Sequence, residues 1–264
     1  MNVRDKVVVV TGAAEGIGKG LCQRFQQEGA QAVVAADLNE AGAAEVAGAS
    51  GGLSFRCDVS REEDILRVVE ETERRLGPIA LFCSNAGVLA RDPDLDDAAS
   101  APDAAWMRGW RVNVMAHVYA ARALLPRYRE RGGGYFLNTV SAAGLLSQVG
   151  SAVYSTTKHA AIGFAESLAI AHRDHGVKVS VLCPQGVDTP MLRGATIRTP
   201  AVADGVLSTE AVAEAVVQGL ERESFLILPH PQVAAYFGNK ARDYDRWIGG
   251  MVKLRRAMTE TGGA

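Results

Sequence analysis

Seven short apolar segments alternate with longer segments of helical periodicity, and this alternation limits the possible folds more than any other feature of the chain. The apolar segments are residues 6–10, 31–36, 53–56, 80–84, 135–140, 177–182 and 225–228. Several of them, such as the four valines at positions 7–10, contain no alternating polar residue, which is typical of strands buried on both faces. The pattern predicts an α/β fold with a doubly wound parallel seven-stranded sheet and helices on both faces.

The chain has no internal repeat or low-complexity linker, and 264 residues are ordinary for one α/β domain, so residues 1–264 are predicted to form a single domain. Three segments exceed the minimal strand–helix pattern. An acidic exposed loop is expected at residues 89–104, before a long helix that begins near Trp106. Residues 186–207 are expected to form a mobile substrate loop, and residues 229–264 form an aromatic and basic C-terminal tail extension.

Local signals suggest how one helix begins and what state the cysteines have. Ser60, followed by Glu63, has the spacing of a capping box and predicts the start of the helix after the third strand. The four cysteines form no CxxC pair, and three lie in or beside apolar strand-like segments. We expect reduced, buried thiols and a cytoplasmic protein.

Charge and hydropathy argue against several classes of partner. The net charge of −2 gives no reason to expect nucleic acid or an anionic membrane as a partner. No apolar run approaches the roughly 18 residues that cross a bilayer. His172 and His175 could share a helix face, but no third ligand is nearby, so no metal is expected.

A glycine-rich turn, "TGAAEGIG" at residues 11–18, directly follows the first strand and opens a helix. At this position Gly12, Gly16 and Gly18 allow a tight turn and bring backbone N–H groups and a helix N-terminus close to a pyrophosphate. The turn therefore predicts a dinucleotide site.

Asp37 ends the second strand, where its carboxylate can accept hydrogen bonds from both ribose hydroxyls of an adenosine. The same charge would repel the 2′-phosphate of NADP, and the next residue, Leu38, offers no compensating cation. NAD is therefore the predicted cofactor. A turn or helix N-cap role is the alternative for Asp37, and Asp58 and Val59 could similarly face the adenine.

Tyr154 and Lys158 in "YSTTK" lie one helical turn apart, with Ser141 thirteen positions upstream of Tyr154. A tyrosine that acts as a base near neutral pH needs a pKa well below its usual value of about 10. The lysine charge on the same helix face favours the phenolate, and the serine can hydrogen-bond a substrate oxygen. The three residues predict a proton-transfer site.

Together these features resemble the short-chain dehydrogenase/reductase family, specifically its shorter, single-domain members with a Rossmann-type fold, over roughly residues 4–228. The resemblance rests on "TGAAEGIG", "DV" at 58–59, "SNAG" at 84–87, "VN" at 112–113, Ser141 and "YSTTK". It implies Tyr154 as acid/base, Lys158 as ribose ligand and pKa modifier, Ser141 as oxyanion partner and Asn113 as holder of a water in a proton relay. The cofactor-binding residues assigned from the turn, Asp37 and the resemblance are Gly12, Glu15, Gly16, Ile17, Gly18, Asp37, Leu38, Asp58, Val59, Asn85, Ala86, Gly87, Tyr154, Lys158, Val187 and Thr189.

The resemblance also implies a homo-oligomer, expected to be a homotetramer, that pairs through long alanine-rich helices at about 104–130 and 153–174. The chain departs from the family pattern at two positions. Ser84 replaces the first Asn of Asn-Asn-Ala-Gly, and Gln185 stands between Pro184 and Gly186, where it either shapes substrate choice or belongs to a structural turn.

The walls of the substrate pocket are expected from residues 142–149, residues 185–187 and the loop with Met191 and Leu192. This lining is mainly apolar, with Ser147 and Gln148 as its few polar members and no Arg or Lys cluster for a phosphate, CoA or carboxylate. A mid-sized, mostly hydrophobic secondary alcohol or ketone is the predicted substrate. The aromatic tail is expected to close over this pocket or over that of a neighbouring subunit.

The function predicted from these residues is NAD-dependent interconversion of a secondary alcohol and its ketone. Epimerases and dehydratases also carry Tyr-x-x-x-Lys, but their longer substrate domain is missing here. A non-catalytic NAD-sensing or scaffold protein would be expected to lose at least one of Ser141, Tyr154 and Lys158. An NADPH-dependent carbonyl reductase is a further alternative.

Overall fold

The computed structural model describes residues 1–48, 52–193, 202 and 204–261. Seven parallel strands form one sheet in the order β3-β2-β1-β4-β5-β6-β7. Their bounds are β1 (Val7–Thr11), β2 (Ala32–Asp37), β3 (Ser54–Arg56), β4 (Ile79–Ser84), β5 (Gly134–Thr139), β6 (Val177–Leu182) and β7 (Leu226–Ile227). The predicted bounds differ from these by at most one residue at either end. The doubly wound parallel sheet expected from the alternation is confirmed.

Helices cover both faces of the sheet. The helices are α1 (Gly16–Gln27), α2 (Glu40–Gly48), α3 (Glu62–Leu76), α4 (Asp103–Trp110), α5 (Ala116–Glu130), α6 (Ala143–Leu146), α7 (Ala152–His172), α8 (Pro190–Arg193), α9 (Thr209–Glu221), α10 (Gln232–Arg242) and α11 (Tyr244–Thr261). Apolar residues of α1, α2 and α9 pack on one face, and those of α3, α5 and α7 pack on the other. Strands β1, β2 and β4 are therefore buried from both sides, which is why their sequences are almost continuously apolar.

The direction in which the chain adds strands to the sheet reverses at β1. The first three strands run from β1 outward to β3, and the chain then returns to place β4 on the other side of β1. The loops after β1 and β4 leave the sheet in opposite directions and open a crevice at its carboxyl edge. A ligand site is expected at this crevice in doubly wound folds.

A π-helical turn, Arg111–Met115, joins α4 to α5 and contains Asn113. Such insertions are rare and are frequent at functional sites. The helix α4 begins at Asp103, three residues before the predicted start near Trp106, with Pro102 at the N-cap position. Gly109 allows α4 to approach α7 closely, since a Cβ there would lie 2.7 Å from a methyl carbon of Val153.

The capping box predicted at Ser60 is wrong. The helix α3 begins at Glu62 with Arg61 at the N-cap position and no side-chain cap. The Ser60 hydroxyl instead donates to the Asp58 carboxylate at 2.7 Å, and the Ser60 N–H donates to the same oxygen at 3.0 Å. This local turn takes the serine away from the helix, and the acidic first turn of α3 compensates the helix dipole.

Residues outside the minimal pattern fold as short elements. The segment predicted as a mobile substrate loop, residues 186–207, contains α8 and a bridge between Val187 and Leu207. Its residues 194–201 and 203 lie outside the described residues, so the prediction that the loop is mobile is untested. The C-terminal tail consists of α10 and α11. None of the described helices combines the length and the apolar character that crossing a membrane requires.

All four cysteines are free and buried, as the sequence predicted. Burial raises the pKa of Cys22, Cys57 and Cys183 to about 12, so these thiols are inert. Outside the cleft, Trp110 and Ile170 remain exposed on α4 and α7. They lie on the helices that the sequence assigns to subunit contacts, and the homotetramer stays a prediction.

Candidate active site

A single large cleft of about 1140 Å³ opens at the carboxyl edge of the sheet in the described part of the chain. Nearly all the predicted site residues line it. They are Gly12, Glu15, Gly16, Ile17, Asp37, Leu38, Asp58, Val59, Asn85, Ala86, Gly87, Ser141, Tyr154, Lys158, Val187 and Thr189. Gly18 and Asn113 do not line the cleft, because both are buried behind it.

The glycine-rich turn is shaped for close backbone approach. Gly12 has φ +63°, and a Cβ there would lie 2.8 Å from Cα of Ala86. A Cβ on Gly18 would lie 2.0 Å from the carbonyl oxygen of Gly12, so Gly18 packs the helix against the turn and does not face the cleft. Glycine is therefore required sterically at both positions.

Asn85 ties the loop after β4 to the turn after β1. Its side-chain nitrogen donates to the carbonyl oxygens of Thr11 and Gly12 at 3.0 and 3.2 Å. The Asn85 side-chain oxygen is buried without a partner among the described residues. The turn, the N-terminus of α1 and this orphaned acceptor fit a dinucleotide, whose pyrophosphate would lie at the helix N-terminus.

Asp37 is held in place by the backbone on both carboxylate oxygens. One oxygen accepts from the N–H of Ala14 at 3.0 Å and the other from the N–H of Asn39 at 2.9 Å. The carboxylate thus sits at the end of β2 and lines the cleft. Around it the lining residues are Leu38, Asn39, Asp58, Val59 and Ser60, none of them cationic.

The catalytic candidates come together at the opposite end of the cleft. Tyr154 and Lys158 lie on α7, and both are buried. The Nζ atom of Lys158 lies 5.5 Å from the centre of the Tyr154 ring and donates to the carbonyl oxygen of Thr139 at 3.1 Å. Ser141 follows β5, where its hydroxyl oxygen accepts from the N–H of Ala143 at 3.1 Å.

Electrostatics at Tyr154 differ from the prediction. Burial raises the pKa of Tyr154, and the hydrogen bond from Ser141 only partly opposes this effect. Burial also lowers the pKa of Lys158 to about 8, which weakens its hold on a positive charge. The sequence prediction counted the lysine charge and neglected the desolvation of both side chains, so the net direction of the Tyr154 pKa differs from the predicted one. The role of Lys158 as a modifier of this pKa stays a prediction.

We expect Lys158→Met to raise the free energy of unfolding at pH 7 by about 1–3 kcal/mol while it abolishes activity. The folded protein releases the Lys158 proton near pH 8, whereas the unfolded chain holds it up to its ordinary pKa of 10.5. The free-energy penalty of burying the charged Lys158 side chain is therefore full below pH 8 and fades as the pH rises to 10.5. Denaturant unfolding at pH 7 and pH 10.5, with exposed Lys6→Met as control, measures the difference. A variant less stable than wild type at pH 7 would contradict the account.

The side chain of Asn113 is held by three hydrogen bonds within the protein. Its side-chain oxygen accepts from the N–H of Val88 at 2.9 Å, and its nitrogen donates to the carbonyl of Val88 and to the hydroxyl of Thr157. Both donor hydrogens are thus used within the protein. A water in a proton relay, as the resemblance implies, would have to be held by another atom of this residue, such as its main-chain carbonyl.

Gln185 lines the cleft, and its side-chain oxygen is buried with no partner among the described residues. Its backbone N–H donates to Nδ1 of His230 at 3.2 Å. The main chain of Gln185 is therefore fixed by a turn contact, while its side chain offers a free acceptor to a ligand. The main-chain contact agrees with the structural turn, and a role of the Gln185 side chain in substrate choice stays a prediction.

The C-terminal tail closes over the cleft of its own chain. Trp247, Met251 and Leu254 on α11 and Tyr236 on α10 line it. The sequence left open whether the tail covers this pocket or that of a neighbour, and the structure places it on its own pocket. The aromatic residues of the tail predicted that it covers a substrate pocket, but they did not indicate whether that pocket belongs to the same chain or to a neighbouring subunit.

Polar contacts at three points fix the tail. Buried Lys240 donates to the carbonyl of Leu145 at 2.7 Å and lies 3.2 Å from Nε2 of His159. The Tyr236 hydroxyl donates to Asp204 at 3.0 Å, and Arg255 pairs with Asp96. His159 Nδ1 lies 2.8 Å from the carbonyl of Ser155 and donates to it, so Nε2 is free to accept from Lys240.

Arginines that the sequence analysis missed also line the cleft. They are Arg91, Arg108 and Arg111. The expected apolar lining is present, with Leu146, Val149, Met191 and Leu192 among its members, and the three arginines add positive charge that was not expected in the cleft. Arg91 lies four residues beyond Gly87, outside the motifs that predicted the nicotinamide side of the site. No sequence pattern therefore indicated that it would line the cleft. The loop after β4 turns back toward α7 and brings the arginine in.

Comparisons with known proteins agree with this geometry. A family model described as short chain dehydrogenase matches residues 6–199. A 1-deoxy-11-beta-hydroxypentalenate dehydrogenase of Streptomyces exfoliatus is 38% identical over 201 residues, covering 74% of this chain and 72% of the relative. A 3beta-hydroxysteroid dehydrogenase 2 of Eggerthella lenta is 33% identical over 190 residues, covering 70% and 72%.

Two further matches are a longer relative and a solved structure. Epidermal retinol dehydrogenase 2 of Mus musculus is 32% identical over 206 residues, and the match spans 75% of this chain but only 65% of that longer relative. The crystal structure of a short chain dehydrogenase/reductase from Burkholderia phymatum in complex with NAD is 27% identical with a TM-score of 0.79. That match covers 93% of this chain and 96% of the other.

Proposed function

The chain belongs to the short-chain dehydrogenase/reductase family, and from this premise we propose that it is an NAD-dependent oxidoreductase. It interconverts a mid-sized, mostly hydrophobic secondary alcohol and its ketone. The observation that carries the proposal is the position of Ser141, Tyr154 and Lys158 in the same cleft as Asp37 and the glycine-rich turn. One cleft thus combines a proton-transfer site with the features of a dinucleotide site.

In the oxidation direction, Tyr154 accepts the proton of the substrate hydroxyl while Ser141 hydrogen-bonds the substrate oxygen and orients it. The nicotinamide cofactor, when bound, supplies the acceptor for the hydride of the carbinol carbon. The Nζ atom of Lys158 lies beside the tyrosine ring, and its charge when protonated opposes the rise that burial causes in the pKa of Tyr154. Reduction reverses these proton transfers, with Tyr154 donating.

The choice of NAD rests on Asp37. Its carboxylate is fixed by two backbone N–H groups, so it cannot swing away from a 2′-phosphate without losing both hydrogen bonds. The residues that line the cleft around it carry no cation to offset the repulsion. The alternative of an NADPH-dependent reductase would need such a cation.

The substrate class rests on the cleft walls and the tail. Trp247, Met251 and Leu254 add apolar surface to the residues of α6 and α8, which favours a hydrophobic body. The relatives are named for a hydroxypentalenate and for a 3beta-hydroxysteroid, and we carry a hydroxyl-bearing substrate over to this chain. The unpaired side-chain oxygen of Gln185 is suited to accept a hydrogen bond from a second polar group of the substrate.

A kinetic panel tests the proposal. Secondary alcohols of increasing apolar bulk are oxidised with NAD, and NADH absorbance gives kcat/KM for each. We expect kcat/KM to rise as apolar bulk is added and to fall for polyols. A preference for polyols or for acetoacetyl thioesters would overturn the substrate class. Silence across the whole panel with NAD bound would favour the non-catalytic sensor.

A further inference from the structure

Arg91 carries a buried, unpartnered nitrogen in the substrate cleft. Arg91 lines the cleft, and the Nη2 atom of its guanidinium is buried with no hydrogen-bond partner among the described residues. Leaving a donor of a charged group unsatisfied is costly, so native structures rarely keep one without a functional reason. An acceptor from a bound ligand would remove the cost.

The main chain on either side of Arg91 is held rigidly. Val88 is pinned by the Asn113 side chain through both its N–H and its carbonyl. Asp92 donates its N–H to the carbonyl of Gly150 at 3.0 Å, and its carboxylate accepts from the N–H of Ala152 at the start of α7. Arg91 is thus preorganised against the helix that carries Tyr154.

No acid in the cleft is free to neutralise Arg91. The acids that line it in the described part of the chain are Glu15, Asp37, Asp58 and Asp204. The first three lie among the predicted cofactor residues, and the Asp204 carboxylate accepts a hydrogen bond from the Tyr236 hydroxyl. The neighbouring Asp92 already binds the N-terminus of α7. Arg108 and Arg111 add further positive charge to the same cleft.

Three arginines line the cleft, and Arg91 is the one among them that has a buried nitrogen without a partner among the described residues. The ligand group that matches a planar guanidinium is a planar carboxylate. We propose that the substrate carries a carboxylate, which Arg91 binds by charge-assisted hydrogen bonds while the hydrophobic body packs against Trp247, Met251 and Leu254. The inference rests on the proposed function, since it names the substrate class of the same cleft. Arg91 is then the residue that selects hydroxy acids over neutral alcohols.

A kinetic experiment compares hydroxylated hydrophobic acids with their methyl esters. The probes are hydroxycholanic acids and hydroxycyclohexanecarboxylic acids, each paired with its ester, at fixed NAD. Wild type is expected to favour the acids by about 10- to 100-fold in kcat/KM. Arg91→Gln is expected to lose this preference through a rise in KM that is larger for the acids than for the esters. Arg91→Lys is expected to retain part of the preference for the acids. Arg75→Gln, which replaces an exposed arginine, is expected to retain all of it.

A binding experiment reads the same contact without turnover. Adamantane-1-carboxylate and adamantane-1-carboxamide are titrated calorimetrically into NAD-loaded wild type and Arg91→Gln, whose NAD affinity also reports correct folding. Tighter binding of the acid that depends on Arg91 supports the proposal. Equal binding of acid and amide by the wild-type protein, or an acid preference unchanged in both Arg91 variants, overturns it. Absent turnover with Arg91-dependent acid binding would instead sink the proposed function and leave the carboxylate site standing.

Discussion

Tyr154→Phe is expected to lower kcat by about 10²- to 10⁴-fold and to leave NAD affinity within about threefold of wild type. The substitution removes only the hydroxyl group that accepts the substrate proton, and the ring keeps its buried place on α7 beside Lys158. Steady-state oxidation of a hydrophobic secondary alcohol gives kcat, and NAD titration gives the affinity.

The matched control is Tyr119→Phe, which removes a hydroxyl on α5 away from the cleft. It should keep wild-type kcat. If the Tyr154→Phe protein retained a tenth of wild-type kcat, Tyr154 would not be the acid/base. Since burial raises the pKa of Tyr154, wild-type oxidation should also speed up as the pH rises above neutral.

The second large effect concerns the cofactor. NAD is expected to exceed NADP by about 100-fold or more in kcat/KM, because a fixed carboxylate beside a 2′-phosphate costs several kcal/mol. Asp37→Ala should narrow this ratio by about tenfold or more, chiefly through a lower KM for NADP. Parallel kinetics with both cofactors on both proteins measure the change.

Asp174→Ala, which removes an exposed acid outside the cleft, should leave the ratio unchanged. Equal or better use of NADP by the wild-type protein would rule out the assignment of Asp37. A ratio that stays the same in Asp37→Ala would show that another feature selects the cofactor.

The sheet and the main site residues could be predicted from sequence because they depend on local patterns. Continuous apolar runs mark strands buried on both faces, and Gly12, Tyr154 and Lys158 lie in short motifs whose spacing is set by one turn or one helix. Their convergence in one cleft follows from the strand order, since parallel strands bring their carboxyl ends to one edge.

What could not be predicted depends on contacts between distant segments. Ser60 has a capping-box spacing, but Asp58 competes for its hydroxyl. The burial that raises the pKa of Tyr154 comes from the surrounding fold, so the motif alone misjudged it. Arg91 lies next to Asp92, which accepts a hydrogen bond from the N–H of Ala152, 60 positions along the chain. The tail is likewise fixed by a distant contact, from Lys240 on α10 to the carbonyl of Leu145.

Direct transfer of hydrogen from substrate carbon to cofactor is the measurement that tests the central claim. Secondary alcohols deuterated at the carbinol carbon are incubated with NAD and the protein, and the reduced cofactor is analysed by mass spectrometry. The proposed function predicts one deuterium on the nicotinamide ring with wild type and almost none with Tyr154→Phe. Reduced cofactor without label, or the same yield of labelled cofactor from both proteins, would contradict it.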